Sequence, residues 1–264
     1  MEVTQLAIYP VKSAQPINLS SAKVTLRGFE HDRRWLLVDE SGQFLTQRQY
    51  HKMALIHISV EADGLQASAQ GAGKLHIPTP TTDAVHKPVT VWKDNCDALD
   101  AGDQPAEWFS RLLGLRCRLV YQPDEAIRVT DPQFSNPGDH TSFADGFPFL
   151  LTNEASLQDL NQRLEQPITM NRFRPNIVVN GKTPFDEDNW NTLKIGDITF
   201  RATKPCSRCI MTTINPETAE RDGTEPLTTL SKYRRTDMGV IFGQNLIPDD
   251  EGVIHIGDKV SILS

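Results

Sequence analysis

The sequence of 264 residues has few cysteines and no long apolar segment. Four cysteines, two of them isolated, do not make the disulfide framework of a secreted protein of this length. The chain also lacks an apolar stretch that would span a bilayer, and its start lacks the charged and apolar regions of a signal peptide. We therefore expect free thiols, no membrane association and a cytoplasmic location.

Common nucleotide and hydrolase motifs are also absent, namely Gly-x-Gly-x-x-Gly, the Walker loop, Gly-x-Ser-x-Gly and His-Glu-x-x-His. No lysine is marked out as a Schiff-base residue, although the sequence leaves pyridoxal phosphate open. The 27 basic residues are outnumbered by 34 acidic ones, giving a formal net charge of −7. This charge opposes binding of nucleic acid polymers, so any anion site has to be a local cluster of cations.

Short β-rich runs separated by turn residues dominate the first 100 residues. Residues 35–38 and 43–46 flank a Ser-Gly turn, and residues 55–60 alternate between apolar and polar before a second turn. Helices are predicted after Asp103 as N-cap, ending at Gly114, then over 154–165 after Asn153, and over 226–234.

Strands resume over 177–179 and in a Gly-Asp hairpin over 193–200, and a last strand pair closes the chain at 254–262. The pattern predicts a mainly β protein with a few packed helices, of the α+β class. The polar, proline-containing segment 122–147 is predicted to be a long loop or a boundary, and long loops are often functional.

Two cysteines, Cys206 and Cys209, lie three residues apart in a basic segment predicted to continue as a strand through residues 210–214. The thiolate is the form that binds metals and carries redox chemistry, and Lys204 and Arg208 lower the cost of forming it. A zinc site lacks the second ligand pair, and a thioredoxin-like pair would need a strand-to-helix junction. Inert buried thiols remain open as an interpretation.

Polar clusters at three other places suit an anion. Arg174 and Asn176 precede the strand at 177–179, where a planar guanidinium matches phosphate and an amide matches a heterocycle edge. Lys12 with its neighbouring hydroxyl follows the first strand, and Arg33 opens another. Each cluster also has a plain interpretation as a solvated loop or a charged hairpin.

Several separated segments, in this order, closely resemble the MOSC family, named for the molybdenum cofactor sulfurase C-terminal domain. Within it the chain is similar to YcbX-type proteins and to the mitochondrial amidoxime reducing component. Those relatives carry an N-terminal β-barrel before the MOSC domain, which implies a MOSC N-terminal β-barrel domain over 1–120 and a MOSC domain over 121–264. The matching segments are residues 9–13, 32–35, 80–86, 149–157, 171–176, 206–209 and 242–245.

The resemblance implies a molybdenum cofactor, a pyranopterin dithiolene with a terminal phosphate, held between the two domains. Cys209 matches the family's molybdenum ligand and is the expected catalytic residue, together with Asp145 of the polar loop. A soft thiolate is the side chain expected at such a centre. The positions that match the family's cofactor contacts are Lys12, Ser13, Arg33, Arg174, Asn176, Ser207 and Cys209.

The implied activity is a molybdenum-dependent oxidoreductase that reduces small N-hydroxylated compounds. The chain lacks the Cys-x4-Cys-x2-Cys ligands of a plant-type [2Fe–2S] cluster, so electrons are expected from a separate redox protein. Lys182 replaces a cysteine of the mitochondrial relatives, which argues against an essential second thiol there. Two alternatives stay open: a sulfur or cofactor carrier without turnover, and a noncatalytic β-barrel with inert cysteines.

Overall fold

The computed structural model describes residues 1–221 and 223–264. Over these residues the protein is mainly β with three α-helices, as the sequence predicts. None of the described helices is long and apolar enough to cross a membrane. The four cysteines, all within the described part, are free thiols. The helices are α1 (Asp103–Leu113), α2 (Glu154–Asn161) and α3 (Leu227–Tyr233).

Twenty-one strands occur in the described residues, and most are short. They are β1 (Val3–Ile8), β2 (Ile17–Leu19), β3 (Ser21–Thr25), β4 (Gly28–Phe29), β5 (Trp35–Asp39), β6 (His57–Glu61), β7 (Gly64–Ala69), β8 (Gly73–Pro78), β9 (His86–Val91), β10 (Asp94–Asp100), β11 (Cys117–Tyr121), β12 (Arg128–Val129), β13 (His140–Thr141), β14 (Phe149–Asn153), β15 (Ile177–Val179), β16 (Thr192–Ile195), β17 (Ile198–Ser207), β18 (Arg235–Thr236), β19 (Gly239–Pro248), β20 (Gly252–His255) and β21 (Val260–Ile262).

The largest sheet joins the two ends of the chain. Its order is β2-β1-β15-β14-β19-β17-β16-β21, with β18 on β19. Strand β1 is antiparallel to β15, which is parallel to β14. Apolar side chains from these strands form one core, including Leu6, Leu151, Ile177 and Phe200. Burial of this face is the main stabilising contribution to the sheet.

Smaller sheets contain the remaining strands, in the orders β5-β11-β10-β9, β6-β7-β8, β20-β3-β4 and β12-β13. A second core lies under α1 and β6 to β8, with Trp108 and Phe109 from the helix. Strand β3 pairs with β20, so early and late parts of the chain share two sheets. The division into domains near residue 120 stays a prediction.

Helix ends follow local side-chain chemistry. Gly114 ends α1 in the left-handed conformation with φ of 74°, as predicted. Asp103 is not the N-cap of α1, because its carboxylate accepts a hydrogen bond from Arg118 and Gly102 takes the cap position. Asn153 is the predicted cap of α2, and its Oδ1 accepts from Ala155 N.

The strand predicted over residues 210–214 is wrong. The segment Ile210–Thr213 is a single 3-10 turn. The hydroxyl of Thr212 donates to Cys209 O at 3.0 Å, and that of Thr213 donates to Ile210 O at 2.7 Å. Threonine hydroxyls compete for backbone groups in this way and favour a turn over a ladder. Cys209 therefore precedes a short turn, and not the longer helix of a thioredoxin-like pair.

Candidate functional site

A cavity of about 480 Å³ lies between the end of β1, the loop before β14 and the end of β17. It gathers side chains that are far apart in the sequence. All eight site residues predicted from the sequence line it: Lys12, Ser13, Arg33, Asp145, Arg174, Asn176, Ser207 and Cys209. The structure thus brings the predicted set together, while their roles toward a cofactor remain a proposal.

Lys12 stands in the segment that follows β1 and is 5% exposed. Its Nζ donates to Phe143 O at 2.7 Å and to Asp145 Oδ1 at 2.6 Å. Burial lowers the pKa of Lys12 to about 8, and the Asp145 carboxylate partly opposes that effect. A lysine in this state exchanges a proton near neutral pH.

Asp145 faces both Lys12 and Arg48, whose Nη2 lies 3.7 Å from Asp145 Oδ2. Desolvation in the cavity raises the pKa of Asp145, but the charges of Lys12 and Arg48 outweigh it and hold that pKa below its usual range. Arg128 fixes the loop, donating to Ser142 O at 3.1 Å and to Asp145 O at 3.2 Å. The carboxylate is therefore ionised and held in place.

Two guanidinium groups lie over one buried tyrosine ring. The Cζ atoms of Arg33 and Arg174 lie 4.4 Å and 4.2 Å from the centre of the Tyr9 ring. Asp32 is buried, pairs with Arg33 and accepts from Tyr9 N at 2.7 Å. Arg174 donates to Ala14 O at 2.9 Å. The Tyr9 ring and these hydrogen bonds thus hold both guanidinium groups in fixed orientations at the cavity wall.

Asn176 supports Arg33. Its Oδ1 accepts from Arg33 Nη1 at 3.0 Å and from Leu150 N at 3.2 Å, while its Nδ2 donates to Ala7 O at 3.2 Å. Both acceptor sites of the amide oxygen are therefore in use. The side chain is 1% exposed and acts on the cavity mainly by orienting Arg33.

Four cavity residues adopt a left-handed backbone conformation that non-glycine residues rarely take. The φ angles are 70° at Ser13, 50° at Arg33, 58° at Trp92 and 56° at Arg174. Each such residue costs of order 1–3 kcal/mol and persists only where its surroundings fix it. Their concentration around one cavity is typical of a functional site.

Cys209 follows the end of β17, and its backbone is extended with φ of −120°. Arg48 Nε lies 3.2 Å from its Sγ and donates to it. Cys206 lies within β17, its Sγ donates to Ser207 O at 3.9 Å, and its pKa is raised by burial. The two cysteines therefore have different surroundings, because the Arg48 guanidinium donates to Cys209.

Arg208 fastens the cysteine segment to the fold. Its Nε and Nη2 donate to Phe242 O at 2.8 Å and 2.7 Å, and its Nη1 donates to Phe173 O at 3.1 Å. The rings of Phe173 and Phe242 stack at 3.9 Å beside it. This guanidinium is occupied by carbonyl groups, so Arg48 is the arginine that contacts the thiol.

The charge of the cavity is opposite to that of the chain. Among the lining residues, all of which the structure describes, Asp145 is the one carboxylate. The cations are Lys12, Arg33, Arg48, Arg172, Arg174, Lys204 and Arg208. Seven cations against one carboxylate give this cavity a positively charged lining in a protein of net charge −7.

Two known protein families match consecutive parts of the chain. Residues 1–116 match the family described as the MOSC N-terminal beta barrel domain, and residues 138–261 match the MOSC domain. The chain belongs to the MOSC family. Mitochondrial amidoxime-reducing component 1 from Homo sapiens is 37% identical over 99% of this chain and 82% of its own length. Component 1 from Mus musculus is 36% identical, and component 2 from Bos taurus is 34% identical, over 99% and 98% of this chain and 82% of each relative.

Two residues of this MOSC protein's cavity have no marker in the sequence. Arg48 lies in a turn after β5, and Trp92 lies in the turn between β9 and β10. Neither residue belongs to a sequence motif. Each reaches the cavity only through contacts with distant segments. Asp32 and Tyr9 lie within segments that the sequence singles out, and the structure adds their role as supports for the two arginines.

Within residues 1–221 and 223–264 of this MOSC protein, no three or more His, Cys, Asp and Glu side chains form a metal-binding group. A zinc site built from side chains alone would need such a group.

Proposed function

We propose that this MOSC protein reduces N-hydroxylated compounds, binds a molybdenum cofactor and receives electrons from a separate redox protein in the cytoplasm. The observation that carries the proposal is the placement of the Cys209 thiol in a cavity with seven cations. The names of the mitochondrial relatives, at 34% to 37% identity, support amidoximes as one substrate class.

The residues present fit the cofactor. The Cys209 thiolate would give a dithiolene-bound molybdenum a soft protein ligand. The phosphate and the charged metal group need compensating cations, which line this cavity. The volume of about 480 Å³ lies within the usual range for sites that enclose a cofactor or a similar small molecule.

In this proposal Cys209 would hold the metal, and Lys12, Arg33 and Arg174 would hold the anionic groups. Ser13 and Ser207 would add hydrogen bonds, and Asn176 would act through Arg33. When bound, the cofactor would supply two-electron reduction chemistry for the N–OH group. The net reaction consumes two electrons and two protons and releases the amine-level product and water.

Lys12 is suited to deliver protons, and Asp145 holds its ammonium group in place. Lys12 Nζ, with a pKa of about 8, is joined at 2.6 Å to the Asp145 carboxylate. A group with a pKa near the working pH both gives and regains a proton readily. Asp145 remains exposed on the cavity side, so the pair connects with solvent. We assign Lys12 the supply of protons for the departing water, and Asp145 the positioning of the Lys12 ammonium group.

The test starts with wild type and Cys209→Ser produced in a host that makes the cofactor. Molybdenum and released pterin are measured, followed by benzamidoxime reduction with an artificial electron donor. We expect near-stoichiometric molybdenum and turnover in wild type and loss of both in the variant. Molybdenum with no turnover would favour the carrier function. Wild type without molybdenum or pterin would contradict the proposal.

A further inference from the structure

The contact between Arg48 and Cys209 joins residues 161 positions apart in the sequence. We propose that Arg48 is a positioning residue that orients the Cys209 sulfur, and that Trp92 holds Arg48 in place. The inference rests on the proposed function, because it takes Cys209 as the metal ligand. It adds two residues that have no motif in the sequence.

The Arg48 guanidinium approaches the Cys209 sulfur from one direction. Its Nε donates to Cys209 Sγ at 3.2 Å, and its Nη2 faces Asp145 Oδ2 at 3.7 Å. The guanidinium is planar, so fixing two of its nitrogens fixes the whole group. Its side chain is 21% exposed, which limits alternative arrangements.

Trp92 packs against the same guanidinium. The Cζ of Arg48 lies 4.6 Å from the centre of the Trp92 ring, within the range of a cation–π contact. The indole in turn meets Phe44 edge to face at 5.0 Å. Phe44 N donates to Thr90 O at 3.2 Å, which ties this aromatic pair to β9. Arg48 is therefore held between an aromatic face and a carboxylate.

The backbone conformation of Trp92 supports a functional role for its position in the turn. Trp92 occupies the turn between β9 and β10 with φ of 58°, where glycine or asparagine is the usual choice. The side chain is also 47% exposed. Strain and an exposed indole are both unfavourable, and the contact with Arg48 provides a functional reason for them.

Residues that hold a metal ligand in its orientation matter nearly as much as the ligand itself. Removing such a partner costs about 10- to 100-fold in metal affinity or activity. By this rule, Arg48 keeps the sulfur turned toward one position in the cavity, and Trp92 acts only through Arg48. The two residues should therefore behave as a single unit in a double-mutant cycle.

The experiment compares wild type with Arg48→Met, Arg48→Lys, Trp92→Asn and the double variant Arg48→Met/Trp92→Asn. Asparagine tolerates positive φ, so Trp92→Asn removes the indole without adding backbone strain. Arg116→Met is the control, because Arg116 is 84% exposed and pairs with Glu40 away from the cavity. Each protein is made in a host that synthesises the cofactor, and folding is checked by thermal unfolding.

Two readouts do not depend on turnover: the rate of molybdenum loss during dialysis and the Mo(V) electron paramagnetic resonance spectrum. We expect Arg48→Met to lose molybdenum about 10- to 100-fold faster with shifted g-values. Arg48→Lys should fall between it and wild type, and Arg116→Met should match wild type. Trp92→Asn should share the spectral shift, and the double variant should equal Arg48→Met.

Unchanged retention and spectrum in folded Arg48→Met would overturn the inference, as would additive effects of the two substitutions. If Arg48→Met does not fold, Trp92→Asn and Arg48→Lys decide the question by the same two readouts. Wild type that holds molybdenum but reduces no N-hydroxylated compound contradicts the reductase function alone. Wild type without molybdenum contradicts both.

Discussion

The Tyr9 hydroxyl donates to Pro175 O at 3.0 Å, so the buried ring is tied to the residue that comes directly after Arg174. Burial raises the pKa of Tyr9 to about 12, and the phenol stays protonated as a donor. The same ring supports the Arg174 guanidinium from 4.2 Å. The tyrosine thus fixes both the backbone and the side chain of the arginine segment.

Tyr9→Phe tests the hydroxyl separately from the ring. We expect it to lower the free energy of unfolding by about 1–3 kcal/mol, because Pro175 O loses its donor in a buried place. Cofactor content should change little, since the ring remains under Arg33 and Arg174. Tyr9→Leu, which removes the ring, should lose cofactor as well. Urea unfolding and molybdenum analysis of both variants separate these effects, and equal cofactor loss in both would contradict the supporting role of the ring.

Lys12 should make stability depend on pH in the alkaline range. Its pKa is about 8 in the fold against an ordinary 10.5, so between these values the unfolded chain binds more protons. Stability contributed by this group therefore rises with pH over that window, by about 3 kcal/mol in total. Relative to Lys12→Met, wild type should gain stability from pH 8 to 10.5 in urea unfolding experiments. A constant difference across that range would show that burial does not lower the pKa of Lys12.

Cys206→Ser should keep its molybdenum. Cys206 lies within β17, its Sγ contacts Ser207 O at 3.9 Å, and Arg48 donates to Cys209. We expect the molybdenum content of Cys206→Ser to equal that of wild type, whereas Cys209→Ser loses the metal. Elemental analysis of both variants from the same host checks this. Equal loss in the two variants would mean that the cysteines act as a pair.

Gly243 should be intolerant of any side chain. Its φ is 79°, and a Cβ there would lie 2.6 Å from Leu151 O of the neighbouring strand. Gly71 is a matched control, with φ of 77° and open space where an alanine methyl group would lie. We expect Gly71→Ala to cost about 1–2 kcal/mol from the left-handed backbone. Gly243→Ala should cost about 1–3 kcal/mol more because of the contact with Leu151. Equal losses in denaturant unfolding would contradict the steric argument.

Local chemistry explains how much of the fold could be predicted from the sequence. The hairpin at β16 and β17 has a Gly-Asp turn between alternating strands, and the α2 cap is an asparagine that bonds its own neighbouring backbone. The segment after Cys209 has the β-branched composition that is typical of a strand. That composition is the basis of the strand prediction, which is wrong. Its Thr212 and Thr213 hydroxyls bind carbonyl groups three residues earlier, which stabilises a turn instead.

The candidate site divides in the same way. Lys12, Arg33 and Cys209 lie in short segments that resemble a family, so the sequence was sufficient to select them. Arg48 lies in an ordinary turn and contacts Cys209, which is 161 positions later in the sequence. No local sequence pattern predicts such a contact, because it forms only after the sheets have assembled.

The position of β1 also bears on how the protein is made. This first strand lies between β2 and β15, so one of its edges stays unpaired until residues 177–179 have left the ribosome. At about 5–20 residues per second, that interval is on the order of ten seconds or more. The walls that carry Lys12 and Arg174 meet only when β1 and β15 pair. A molybdenum cofactor held by both walls would therefore bind only after this pairing, and not while the residues before β15 are still being made.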